Sequence, residues 1–255
     1  MATNSTSHLS EQPVALITGA AKRVGSVITQ TLHAKGVNVV IHYRQAEKEA
    51  NDLVTKLNAL RPHSAVAVKA DLLDTAALDV LVETAITTFG RLDYLVNNAS
   101  SFFATPVGSI TEASWDDLIG TNLKAPLWLS QAAAPYLSAS KGAIVNIADI
   151  HAERPMRGHV VYSIAKAGIV ALTKSLAGEL GPAVRVNAVA PGVNIWPESH
   201  PDFDETARNA ILATTFLERA GTPQDLAGAV SFLLLEAPYV TGHVLNVDGG
   251  RSIYL

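Results

Sequence analysis

Seven short apolar runs alternate with helix-length segments along the 255-residue chain. They are Val14–Thr18, Val37–Tyr43, Ala65–Lys69, Leu92–Val96, Ala143–Ile147, Val184–Val189 and Val244–Val247, and Val and Ile dominate them. A strand with one solvated face carries a polar residue at every second position. Continuous apolar runs instead suit strands covered on both faces, as in a parallel sheet. Helical periodicity covers Val24–Lys35, closed by Gly36, and Ala76–Phe89, closed by Gly90. It also covers Ala113–Ser138 and Val161–Leu180, the latter closed by Gly181-Pro182. Glycine suits a C-cap position such as that of Gly36 because it tolerates the left-handed conformation there. Strand and helix in alternation predict an α/β fold, a Rossmann-type doubly wound seven-stranded parallel sheet in a single domain.

Composition narrows the function. With 48% hydrophobic residues, a chain of this length buries a full core without staples. It has no cysteine, which excludes disulfides, cysteine nucleophiles and thiolate metal sites. A net charge of -4 with no basic run argues against nucleic acid as a partner. No apolar run is read as approaching the roughly 20 residues of a membrane span, and Met1–Gln12 is polar, without the apolar stretch of a secretory signal. The expectation is a cytoplasmic protein with a disordered tail over residues 1–12 and one domain over 13–255. Residues 13–110 are assigned mainly to cofactor binding and 111–255 to catalysis and substrate. Within the second part, 193–217 is read as a substrate loop with a short helix around Glu205–Leu217, because long ordered insertions often serve as binding loops or lids.

The turn after the first run reads Thr18-Gly19-Ala20-Ala21-Lys22-Arg23-Val24-Gly25 and opens the first helix. A glycine-rich strand–turn–helix lets backbone approach a pyrophosphate at a helix N-terminus. Arg23 stands where such turns have their middle glycine, and a guanidinium suits phosphate oxygens. The second run ends Ile41-His42-Tyr43-Arg44, with a cation where an acid would bind the ribose hydroxyls of NAD. Arg44 and nearby Lys22 therefore point to the 2′-phosphate of NADP(H). Expected cofactor contacts are Gly19, Lys22, Arg23, Val24, Gly25, Tyr43, Arg44, Leu72 and Asp71, the last as acceptor for the adenine amine. Its alternative is an ordinary loop or N-cap acid.

The motifs Thr18-Gly19-(x)5-Gly25, Asn97-Asn98-Ala99, Asn122, Tyr162-(x)3-Lys166, Pro191-Gly192 and Asp248-Gly249-Gly250, in this order, resemble the short-chain dehydrogenase/reductases over about Pro13 to Gly250. Tyr162 and Lys166 are four apart on a helical pattern and so face the same way. A phenol titrates at about 10, and an adjacent ammonium and an oxidised nicotinamide are expected to lower it into a usable range. The resemblance implies further cofactor contacts at Asn98, Ala99, Ser100, Tyr162, Lys166, Pro191, Gly192 and Asn194. It gives Lys166 the nicotinamide ribose and Asn122 a water leading to Lys166. It also implies a homotetramer built on the helices at Ala113–Ser138 and Val161–Leu180 and on the last strand.

Three departures from the usual pattern stand in register. Asp149 replaces the serine thirteen residues before the tyrosine, Asn97-Asn98-Ala99 continues Ser100-Ser101-Phe102-Phe103, and Arg23 replaces glycine. A serine donates a hydrogen bond to a ketone oxygen, whereas a carboxylate only accepts. Asp149 therefore favours a nitrogen heterocycle, to which its acid form can give a proton. Phe102 or Phe103 is expected to form one face of a slot for a flat ring, opposite the nicotinamide. Together the departures resemble the pteridine reductase branch. That resemblance implies NADPH-dependent reduction of a dihydropterin, with Asp149, Tyr162, Lys166 and Asn122 catalytic and Arg23, Ser100, Phe102, Asp149, Tyr162 and Trp196 at the substrate. Asn194 is assigned to the nicotinamide amide and Trp196 to the pterin tail, while His151 and Arg157 are expected to face solvent. The alternatives are a carbonyl reductase for a small ketone or an acyl-carrier thioester, and a non-catalytic NADPH sensor.

Overall fold

The computed structural model describes residues 11–196 and 204–254. The tail assigned to residues 1–12 lies outside this range except for its last two residues, as do Pro197, Glu198, Pro201 and Asp202 of the predicted loop.

The seven runs form one parallel sheet: β1 (Val14–Ile17), β2 (Asn38–Tyr43), β3 (Ala65–Lys69), β4 (Tyr94–Asn97), β5 (Ala143–Ile147), β6 (Arg185–Pro191) and β7 (Val244–Val247). Their order is β3-β2-β1-β4-β5-β6-β7, and every pairing is parallel. Chain direction across the sheet reverses between β1 and β4. At such a switch point the connections leave on opposite faces and open a crevice beyond the strand ends.

Two large clusters cover the sheet. Ile17, Ile41 and Val96 pack with α1 (Arg23–Ala34), α2 (Glu47–Leu60) and, from the far end of the chain, α8 (Pro223–Leu235). Leu16, Val40 and Leu95 pack with α3 (Thr75–Phe89) and α5 (Ala125–Ser140) on the opposite face. Alternate residues of one strand thus serve opposite cores, which is why the runs are continuously apolar. Full burial of a Leu or Ile side chain contributes about 1.5–3 kcal/mol.

Local signals set the helix ends. Asp74 caps α3 through the Ala76 N–H, and Gly90 ends it at φ 78°. Thr111 and Ser114 form a capping box on α4 (Glu112–Ile119), and Thr222 and Asp225 form another on α8. The stretch expected as one helix over Ala113–Ser138 is broken. A π-turn at Gly120–Lys124 separates α4 from α5. Gly120 lies so close to Leu73 that a Cβ there would come within 2.4 Å of its Cδ2. Asn122 on this turn donates its side-chain amide back to the Leu118 carbonyl at 2.9 Å.

Helix α6 (Val160–Leu180) packs on β6 and carries Tyr162 and Lys166. Its 21 residues, with mean hydropathy 1.4 over their most apolar window, meet the length and composition of a membrane span, contrary to the expectation that no such run exists. Buried Val161, Ala165 and Ile169 explain that apolarity as core packing. The helix expected over Glu205–Leu217 is shorter, α7 (Glu205–Ala213), capped by the Asp204 side chain.

Candidate active site

A cleft of about 1050 Å³ opens at the C-terminal ends of the strands. Of the predicted site residues, Gly19, Lys22, Arg23, Val24, Gly25, Arg44, Asp71, Leu72, Asn98, Ala99, Ser100, Phe102, Asp149, Tyr162, Lys166, Pro191, Gly192, Asn194 and Trp196 all line it. Tyr43 and Asn122 do not. Tyr43 packs into the core, because alternation along β2 turns the preceding residue, His42, to the cleft instead.

The turn after β1 is held by the strand-four segment. Thr18 Oγ1 accepts from the backbone N–H groups of Asn98 and Ala99 at 2.9 and 3.0 Å. Asn98 Nδ2 donates to the carbonyls of Thr18 and Gly19 at 2.8 and 3.1 Å. Gly19 sits at φ +61°, and a Cβ on Gly25 would fall 2.1 Å from the Gly19 carbonyl oxygen. Only glycine allows helix α1 to start this close to the turn. No side chain caps α1 and its first turn holds no acid. Its leading N–H groups are thus left for an anion in the cleft. Arg23 takes the left-handed conformation at φ 51°, and among the described residues neither it nor Arg44 makes an ion pair. Lys22 differs from expectation: it is paired with Glu49 of α2 at 2.6 Å. Asp71 lines the cleft, but its Oδ1 accepts from the Leu73 N–H at 3.0 Å, so it also serves as the loop acid of the alternative reading.

At the other end, β5 delivers Asp149 and α6 delivers Tyr162 and Lys166. The Tyr162 hydroxyl donates to Asp149 Oδ2 at 2.7 Å, and Oδ1 accepts from the His151 N–H at 2.8 Å. Lys166 Nζ donates to the Ile147 carbonyl at 2.9 Å and lies 5.6 Å from the Tyr162 ring centroid. Burial pulls the Lys166 ammonium down to about 8, against the opposing charge of Asp149. Tyr162 is raised well above 10, by burial first and then by the charge and hydrogen bond of Asp149, with the Ser100 hydroxyl opposing. This corrects the expectation of a lowered phenol. Buried, and bonded to a carboxyl group where the resemblance places a serine, the hydroxyl keeps its proton.

Asn122 is buried and reaches the cleft through Ser100, whose Oγ donates to Asn122 Oδ1 at 2.6 Å. The resemblance implied a link toward Lys166; the side-chain contact runs to Ser100. Phe102 lines the cleft, meeting Tyr162 edge to face at 4.9 Å, whereas Phe103 is exposed and does not. Trp196 lies under the Arg208 guanidinium at 5.3 Å. Arg157 is exposed as expected, but half-buried His151 lines the cleft. Three residues were missed. His42 binds the Gly19 turn, Arg251 donates to the Ile211 carbonyl at 2.8 Å at the cleft's edge, and His159 stacks on Phe102. A histidine within the Val/Ile run of β2, and an arginine directly after Asp248-Gly249-Gly250, were the available signals for the first two.

A family model described as enoyl-(acyl carrier protein) reductase matches residues 19–252. The chain is 35% identical to pteridine reductase 1 of Leishmania tarentolae, across 94% of this chain and 96% of that protein. It is 34% identical to a 3-oxoacyl-(acyl-carrier-protein) reductase of Staphylococcus aureus, across 92% of this chain and 96% of that one. With the parallel sheet, the glycine turn and the Tyr162-Lys166 pair, these matches identify the chain as a member of the short-chain dehydrogenase/reductase family of NAD(P)-dependent oxidoreductases.

Proposed function

We propose that this protein reduces the C=N bond of a dihydropterin, of the dihydrobiopterin, dihydromonapterin or dihydrofolate kind, using NADPH. The observation that carries the reading is the Tyr162–Asp149 hydrogen bond at 2.7 Å, in which a carboxylate occupies the place of a carbonyl-binding serine. Both Asp149 oxygens accept hydrogen bonds, so the group repels a ketone oxygen and attracts the N–H groups of a heterocycle. The similarity to pteridine reductase 1 over nearly all of both chains supports it.

The residues present fit NADP(H). The uncapped start of α1 and Arg23 suit the pyrophosphate, Arg44 and Lys22 suit the 2′-phosphate, and Asn98 to Ser100 with Pro191, Gly192 and Asn194 flank the nicotinamide end. Bound there, NADPH supplies the hydride. Phe102 offers a flat face that holds a ring near attack geometry. Tyr162, kept protonated by burial and by Asp149, gives its proton through Asp149 to the ring nitrogen, and the Lys166 ammonium stabilises the phenolate left behind. Exposed Trp115, Trp128, Tyr136 and Ile164 on α4, α5 and α6 support a homotetramer formed through these helices, and a cytoplasmic setting completes the proposal.

The second reading is a 3-oxoacyl reductase, favoured by the 34% identity to the Staphylococcus aureus enzyme. NADPH oxidation with dihydrobiopterin, dihydromonapterin, dihydrofolate, a 3-oxoacyl thioester and a simple ketone, side by side, separates the two. Turnover confined to the thioester or ketone overturns the pterin reading. NADPH binding without any turnover points to a sensor.

A further inference from the structure

His159, directly before α6, takes no part in the proton path, yet its ring rests on the ring assigned to the substrate. Its side chain is buried, and its imidazole lies parallel to Phe102, with centroids 4.7 Å apart and planes within 12°. Phe102 in turn meets Tyr162 at 83° with centroids 4.9 Å apart. Three rings thus run in contact from the start of α6 to the phenol. The loop carrying Phe102 is fastened at the same place. The Thr105 N–H donates to the Gly158 carbonyl at 2.6 Å, and Thr105 Oγ1 accepts from the Val161 N–H at 3.2 Å.

A phenylalanine at the wall of an open cleft has a free χ torsion and pays rotamer entropy when a ligand stacks on it. With one face covered by His159, Phe102 keeps its orientation before the ligand arrives, and the cost of ordering is removed from binding. The chain fastening through Thr105 fixes the backbone, and the imidazole fixes the plane. We propose that His159 is a positioning residue that sets affinity for flat heteroaromatic substrates by holding the plane of Phe102, without touching the cofactor. The inference rests on the reading of Phe102 as the substrate platform.

The imidazole offers a flat surface and one local hydrogen bond. Its Nδ1 donates to the Arg157 carbonyl at 3.2 Å, while its Nε2 is buried and lacks a partner among the described residues. His159→Phe therefore keeps the stack, gives up one hydrogen bond and removes one unsatisfied nitrogen, so the melting temperature should change little. His159→Leu keeps much of the volume and loses the plane, and His159→Ala loses both.

The test measures dihydrobiopterin binding by calorimetry to protein saturated with NADP+, and NADPH binding by fluorescence, in all four proteins, with melting curves to show folding. The expected result for the Leu and Ala variants is dihydrobiopterin binding about 3- to 10-fold weaker, the range of one aromatic contact, with NADPH binding unchanged within about twofold. His159→Phe should match the wild type. A folded His159→Leu variant that binds dihydrobiopterin like the wild type overturns the inference while leaving the pterin reading intact. Equal weakening of NADPH binding overturns it too, because that marks a general structural role. A wild-type protein that binds no pterin refutes both readings.

Discussion

Replacing His42 with asparagine should flatten the acid limb of the protein's stability curve. His42 Nδ1 accepts from the Gly19 N–H at 3.0 Å, so Nε2 carries the proton and donates to the Ala70 carbonyl at 3.2 Å. One imidazole thus ties the glycine turn after β1 to the end of β3, and it does so only when neutral. Burial, the largest cause, pulls its pKa from 6.5 down to about 4, with the neighbouring Arg44 charge adding to the fall and the Ala70 bond and Asp71 opposing it. Since the folded value is depressed, the unfolded chain takes up the proton first on acidification. The stabilisation is complete above pH 6.5 and is lost as pH falls towards 4. Each pH unit in that gap is worth about 1.4 kcal/mol, so the whole interval amounts to about 3 kcal/mol. Asparagine at this site can still offer an acceptor to Gly19 but does not titrate. Urea denaturation of both proteins from pH 7 to pH 4.5 should show the wild type losing about 2–3 kcal/mol more than His42→Asn. Parallel curves would refute the assignment of the neutral imidazole to this tie.

Two further substitutions probe the cofactor end. Gly25→Ala places a Cβ 2.1 Å from the Gly19 carbonyl oxygen and 2.7 Å from Asn98 Nδ2, so the turn must shift. Overpacking of this kind costs about 1–3 kcal/mol, and NADPH affinity, read by fluorescence titration, should fall by about tenfold or more as the turn leaves its place; wild-type affinity would contradict the geometry. Glu49→Gln frees Lys22 from its 2.6 Å partner and removes a negative charge beside the proposed 2′-phosphate site. NADPH binding should tighten by about two- to fivefold, with NADH unchanged, as expected for an exposed charge pair; a matching change in NADH binding would show that Glu49 does not sense the phosphate.

The sheet was legible because its signal is redundant. Each strand is buried on both faces, so the whole Val/Ile run marks it, and observed strand limits fall within about two residues of the runs. The helices were less even. Helix α2 buries only Ala50, Leu53 and Leu57 among charged neighbours and went unassigned. Helix α8 also went unassigned, although Thr222-Pro223-Gln224-Asp225 carries a readable capping box. The π-turn was invisible, since Gly120–Lys124 keeps helical periodicity and its cause, the approach of Leu73, is tertiary. In the site, helical spacing put Tyr162 beside Lys166 and the family resemblance added Asp149, and all three line one cleft. Pairings depended on distant residues and were not legible. Glu49 reaches Lys22 from another helix, and His159 reaches Phe102 across a span of fifty-seven residues. The rise of the Tyr162 phenol was not legible either, because burial, its largest cause, is tertiary, and because Asp149 holds the hydroxyl while Lys166 is bonded to the Ile147 carbonyl.

The proposed selection of C=N over C=O by Asp149 is tested most directly by kcat/KM for dihydrobiopterin and for a 3-oxoacyl thioester in the wild type and in Asp149→Ser, with NADPH binding as the folding control. The wild type should prefer the dihydropterin. The variant should lose about 100-fold or more of that activity, the scale of a positioned proton donor, gain activity on the thioester, and bind NADPH as before. Unchanged dihydropterin turnover in the variant, or a wild type that prefers the thioester, would contradict the claim.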